Sequence, residues 1–103
     1  MVIRNLFDNA APSASGERFE TLLQHKNLVI ERIWSSADIP QSHYIQTQDE
    51  WVLLVQGTAE MDINGAVESL KSGDCVFLPA DTPHCVKSVS EGALWLAVHL
   101  PPQ

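Results

Sequence analysis

The residues best equipped for chemistry in this 103-residue chain fall in two stretches. Ser42 to Gly57 reads S-H-Y-I-Q-T-Q-D-E-W-V-L-L-V-Q-G and sets His43, Tyr44, Gln46 and Glu50 at the head of an apolar run. Gly73 to Val86 reads G-D-C-V-F-L-P-A-D-T-P-H-C-V and brings His84. Imidazole suits Zn, Fe, Ni or Cu, and a carboxylate also suits Mn. Gln46 offers a carbonyl oxygen, a weaker ligand than imidazole, which also hydrogen-bonds a substrate or a bound water. The phenol of Tyr44, with a pKa of about 10, is a poor metal ligand unless the metal lowers it. A divalent metal, a small polar molecule, or both are therefore the chemistries to weigh.

These side chains need strands to position them. Arg18 to Leu23 and Leu28 to Trp34 read as two strands joined by a short connection, a hairpin. Trp51 to Gln56 is apolar on both faces, so it reads as a strand buried on both sides, the outer one against another layer or a partner. Thr58 to Ile63 alternates, with Ala59, Met61 and Ile63 inward and Glu60 and Asp62 outward. Asn64-Gly65 is a strong two-residue hairpin signal, and Val67 to Leu70 returns from it. Val76 to Leu78, His84 to Val89 and Leu94 to Leu100 complete the set, while Val2 to Asn9 reads as a turn or short helix. About eight short strands with frequent turns and little helix predict an all-β sandwich or barrel. The length allows one domain, residues 1–103.

Composition narrows the partners. A net charge of −7 argues against nucleic acid, whose phosphates need Lys and Arg, and against anionic membrane surfaces. No apolar run approaches the roughly 20 residues of a spanning helix, and the first residues lack a secretory apolar core. A cytoplasmic location is the resulting expectation. Cys75 and Cys85 fit a reducing compartment as two small buried thiols.

Glu50 with six residues before Gly57, and Gly73-Asp74 followed by Pro79 and His84, resemble the two motifs of the cupin superfamily. The likeness spans about residues 40–89. The runs I-E-R-I, D-E-W-V-L-L-V-Q-G and W-L-A-V-H also resemble a group of small, uncharacterised bacterial single-domain cupins. The resemblance implies a jelly-roll barrel, or double-stranded β-helix, of short antiparallel strands. It further implies one divalent metal (Zn, Fe, Ni or Mn) held by two His and the Glu of the first motif and the His of the second. Glu50 and His84 match that pattern. With three residues between the second His position and Glu50, the two His positions carry Tyr44 and Gln46; with four between, they carry His43 and Ile45.

Each candidate has two readings. Glu50 is a ligand or a solvated rim carboxylate, and His84 a ligand or a hydrogen-bonded core histidine. His43 is an exposed loop residue unless a bulge turns it inward. His99, in step with Trp95 and Ala97, is a core-edge histidine or sits beside His84 as a second imidazole. Arg32 binds an anionic ligand from within the barrel or pairs with Glu20 or Glu31. Trp51, Leu53 and Val55 form an apolar outer face suited to a homodimer contact. If the barrel is catalytic, the resemblance implies Lewis-acid or oxidative chemistry on a small polar molecule. The alternatives are a metal-free binding barrel and a purely structural one.

Overall fold

Period-two alternation condenses into two antiparallel sheets in the computed structural model, which describes residues 3–8, 15–39 and 45–101. In chain order the strands are β1 (Glu17–His25), β2 (Leu28–Ser35), β3 (Asp49–Gln56), β4 (Thr58–Ile63), β5 (Ala66–Lys71), β6 (Cys75–Leu78), β7 (His84–Val89) and β8 (Ala93–Leu100). The five-stranded sheet runs β1-β2-β8-β3-β6, and the three-stranded sheet runs β5-β4-β7. No helix forms among the described residues. This is the all-β jelly roll that the strand pattern and the resemblance predict.

Turn chemistry sets the corners. Asn64 and Gly65 take φ of 54° and 87°, the double positive φ of a type I′ hairpin turn. Gly57 alone carries the chain from β3 in the large sheet to β4 in the small one, at φ 105°. A Cβ there would stand 2.6 Å from Ser90 Oγ and 3.0 Å from Ala93 Cβ, so the corner closes only around glycine. The first hairpin is tighter than predicted: β1 runs through His25, and Lys26-Asn27 alone turn the chain.

The inward faces meet in one core. Val52, Leu54, Trp95 and Ala97 come from the large sheet and Ala59, Met61, Leu70 and Val89 from the small one. Leu54 and Ala97 are fully buried. Removing each large apolar side chain from water contributes about 1.5–3 kcal/mol. Ala59 and Met61 point inward as the alternation predicts.

The described part of the N-terminal segment holds a turn, one of its two expected readings, with Asp8 N–H bonded to the Asn5 carbonyl at 3.1 Å. Two expectations are corrected. Cys75 is exposed on β6, whereas Cys85 is buried on β7; both are free thiols. On the outer side of β3, where another layer or a partner is expected, no second layer lies among the described residues, and Trp51 stays 36% exposed.

Candidate functional site

Between the sheets lies a cavity of about 140 Å³. Its polar lining is Glu17, Glu31, Gln46, Glu50, His84 and His99. Ile33, Val52, Met61, Leu78, Val86, Trp95 and Phe19 form the apolar remainder. The polar groups come from β1, β2, the approach to β3, β3 itself, β7 and β8. No single strand carries the site.

Strand register brings Glu50 and His99 together. Glu50 pairs with His99 across β3 and β8, and His99 pairs with Val29 across β8 and β2. Glu31, two residues beyond Val29, is then the diagonal neighbour of His99 on the cavity face. His99 Nε2 lies 2.8 Å from Glu31 Oε1, and its Nδ1 lies 3.3 Å from Glu50 Oε2. Gln48 Nε2 also faces that Nδ1, at 2.7 Å. This amide donates to the neutral ring and, turned end for end, accepts from the imidazolium. The Glu31 hydrogen bond raises the His99 pKa above its ordinary value; burial opposes this, and the Glu50 and Glu31 charges add to it.

His84 comes from the opposite sheet. Pro79 to Pro83 leads into β7, and this loop is tied to the approach to β3 at two points. Ala80 N–H donates to Asp49 Oδ1 at 2.9 Å, and Asp81 N–H donates to the Gln46 carbonyl at 2.7 Å. The loop thus fixes Gln46 and His84 against each other. His84 Nδ1–H donates to the Thr82 carbonyl at 3.0 Å, which sets Nε2 toward Glu50 Oε1 at 3.7 Å. Glu50 and His84 are each only 8% exposed. Burial pushes the Glu50 carboxyl above its ordinary range; His99 and His84 pull it down, and the Glu31 charge pushes it up. Glu17 is raised by burial too, against a hydrogen bond from Ser35 and with a push from Glu31. Gln46 Oε1 is buried with no hydrogen-bond partner among the described residues.

Of the sequence-derived candidates, Glu50, His84, Gln46 and His99 all line this cavity. His43 and Tyr44 lie outside the described residues. Arg32 is corrected. Neighbours on a strand point to opposite faces, and Glu31 and Ile33 face the cavity, so Arg32 points away from it. Its guanidinium pairs with Glu20 at 2.7 Å and donates to the Leu6 carbonyl at 2.8 Å. Sequence reasoning missed Glu17 and Gln48 as members of the site and treated Glu31 only as a partner for Arg32. A signal for Glu31 was present: once Ile33 is assigned inward, period two carries Glu31 with it.

The metal centre that the resemblance implies needs several free imidazoles, and the described residues do not fit it. No group of three or more His, Cys, Asp or Glu among them stands where it could hold a metal ion. His99 has each ring nitrogen facing a carboxylate, and as an imidazolium it has no lone pair to give. What remains among the described residues is one imidazole, the carboxylates of Glu17 and Glu50 and the amide oxygen of Gln46, with no three of His, Cys, Asp or Glu grouped to hold an ion.

Among curated proteins none matches the chain. Solved structures do. A protein of Ralstonia eutropha JMP134 named "putative mannose-6-phosphate isomerase" is 37% identical, with a TM-score of 0.87 over 99% of this chain and 100% of its own. A conserved protein of unknown function from Streptococcus pyogenes shares 20% identity at a TM-score of 0.83, over 99% of this chain and 89% of its own. An RmlC-like cupin from Shewanella frigidimarina NCIMB 400 shares 17% at 0.78, over 90% and 83%. The last two show the fold alone. The family model for the Cupin domain matches residues 29–99, from the start of β2 to the end of β8. With Glu50 on the large sheet and His84 on the small one, and a match over more than half its length, the chain belongs to the cupin family.

Proposed function

We propose that this cupin binds one small polar molecule between its sheets, with Glu50 and His84 as the acid–base pair that meets it. One observation carries the reading. Gln46 Oε1 is buried without a partner among the described residues, in the same cavity as a carboxyl and an imidazole that are each 8% exposed. A buried acceptor left unpaired costs about 1–3 kcal/mol, which a ligand donor or a bound water relieves. If the barrel is an enzyme, its chemistry is proton transfer. The Glu50 carboxyl, held above its usual range by burial, gives a proton, and the Nε2 of His84 takes one. The isomerase name of the Ralstonia protein is in keeping with a proton-shuttling pair.

A divalent metal is not part of this reading, because no three of these donors among the described residues are grouped to hold an ion and His99 is engaged by carboxylates. Elemental analysis after incubation with Fe, Mn, Ni or Zn tests that choice. Stoichiometric metal in the wild type, lost in His84→Ala, would reverse it. The binding reading is tested by a thermal-shift screen of small sugars, acids, polyols and amines. A stabilising compound whose effect disappears in Gln46→Leu and Glu50→Gln supports the site. A blank screen, or a hit unaffected by both substitutions, rejects it.

The protein is further proposed to act as a homodimer in the cytoplasm. Trp51, Phe77 and Leu100 are 36%, 57% and 47% exposed on the outer face of the large sheet. They lie in neighbouring strands: Trp51 pairs with Phe77 and with Val98, and Asp49 with Leu100. No helix is long and apolar enough to cross a membrane among the described residues.

A further inference from the structure

We propose that the cavity takes a small hydroxylated organic ammonium ion, and that it rejects sugar phosphates and other anions. This inference rests on the small-molecule reading above and assigns that molecule a charge. The chain contains six Lys and Arg residues, and none of them lines the cavity. Arg4 and Arg32 are paired with Glu20 outside the barrel. Lys71 is paired with Asp74, and Lys26 and Lys87 are exposed. Arg18 stands between Glu17 and Phe19, which both line the cavity, so its side chain leaves the strand on the other face. Residues outside the described segments contain neither Lys nor Arg. A phosphoryl group entering here would find no fixed positive charge.

It would find carboxylates instead. Glu17 from β1, Glu31 from β2 and Glu50 from β3 all face the space, along with His84 from β7 and His99 from β8. His99 is shared between Glu31 at 2.8 Å and Glu50 at 3.3 Å, and His84 stands 3.7 Å from Glu50, so three carboxyls meet two imidazoles, and no Lys or Arg lines the cavity beside Glu17 or Glu50. Burial already pushes both of those carboxyls above their ordinary range, and an ammonium ion between them would draw them back down. Phe19 and Trp95 add aromatic lining, which attracts cations. The hydroxyl follows from two unpartnered atoms. Trp95 is 3% exposed and its indole Nε1 has no hydrogen-bond partner among the described residues, while Gln46 Oε1 is a buried acceptor with none among them. A hydroxyl both accepts and donates, so it is the group suited to either atom. The volume of about 140 Å³ keeps the ligand to a few heavy atoms, well below the ~300 Å³ at which drug-sized pockets begin.

Three matched probes isolate the charge: 3-amino-1-propanol, propane-1,3-diol and 3-hydroxypropionate. Isothermal calorimetry and thermal shift are run with each. The amine is expected to bind about tenfold tighter than the diol, the worth of one charge-assisted hydrogen bond, with no binding of the acid. Glu17→Gln, which keeps an acceptor for Ser35, should remove about the same tenfold factor for the amine and leave the diol unchanged. Equal binding of amine and diol, or binding of the acid, overturns the inference and leaves the small-molecule reading standing. No response to any of the three overturns it as well; the small-molecule reading falls with it only if the broad screen is also blank. Stoichiometric Mn²⁺ or Zn²⁺ binding without a response to the amine overturns it in favour of a metal site.

Discussion

His99 and Glu31 stand on adjacent strands with 2.8 Å between Nε2 and Oε1, inside a barrel where neither is more than one-fifth exposed. The hydrogen bond from the pair raises the His99 pKa above the ordinary histidine value of about 6.5. A raised folded-state pKa stabilises the protein fully below the unfolded value and ceases to do so as pH rises through the folded one. His99→Gln is therefore expected to cost about 1.5–3 kcal/mol at pH 6, the worth of a charged hydrogen bond. The cost should shrink by pH 9. Urea unfolding of both proteins at the two pH values checks this; a cost independent of pH would show that the imidazole is neutral in the fold.

Glu50 carries the opposite sign. Its folded-state pKa is raised from 4.5, so the ionised carboxylate destabilises the fold, and that destabilisation grows as pH rises from about 4.5 through the folded value. Glu50→Gln should unfold at a temperature no lower than wild type at pH 7, with the difference closing below pH 4.5. Ligand binding should be lost in the same variant. Such a trade of stability against activity is usual for polar groups kept in a cavity. Thermal melts across pH 4 to 8 would refute it if the variant melted lower throughout.

Gly57 is the corner on which the two sheets turn. Its φ of 105° is disfavoured for any side chain, and a Cβ would meet Ser90 Oγ at 2.6 Å. Gly57→Ala should cost about 1–3 kcal/mol from the backbone conformation, plus the displacement of Ser90. Gly65, with a similar φ of 87° and nothing within 4 Å of its Cβ position, should show the backbone cost alone. Denaturant melts of the two alanine variants separate these contributions. Equal costs would mean that the contact with Ser90 is relieved freely.

The outer face of the large sheet offers the fourth prediction. Trp51→Glu combined with Phe77→Ser should leave the fold intact and convert a dimer to a monomer in sedimentation analysis. Stable contacts of this kind bury about 800 Å² per partner, and a buried unpaired charge at their centre is strongly unfavourable. A wild type that sediments as a monomer at micromolar concentration removes the dimer proposal.

Local chemistry was legible from the residues alone. Strand alternation, the Asn64-Gly65 turn, the Glu50 to Gly57 run and the Pro79 to His84 approach all depend on neighbours within a few positions. They sufficed for the jelly roll and for the cavity positions of Glu50, His84 and Gln46. β2 shows the limit. With Ile30 and Trp34 on one face and Ile33 on the other, alternation alone does not say which face is inner, so Arg32 and Glu31 were interchangeable as cavity residues. Tertiary register decided it. Pairing β8 between β2 and β3 puts His99 against Glu50 on one side and diagonal to Glu31, 68 residues away, on the other. Those contacts are set by the packing of distant strands, which no local spacing encodes. Among the described residues they make the cavity a carboxylate-rich pocket organised around His99.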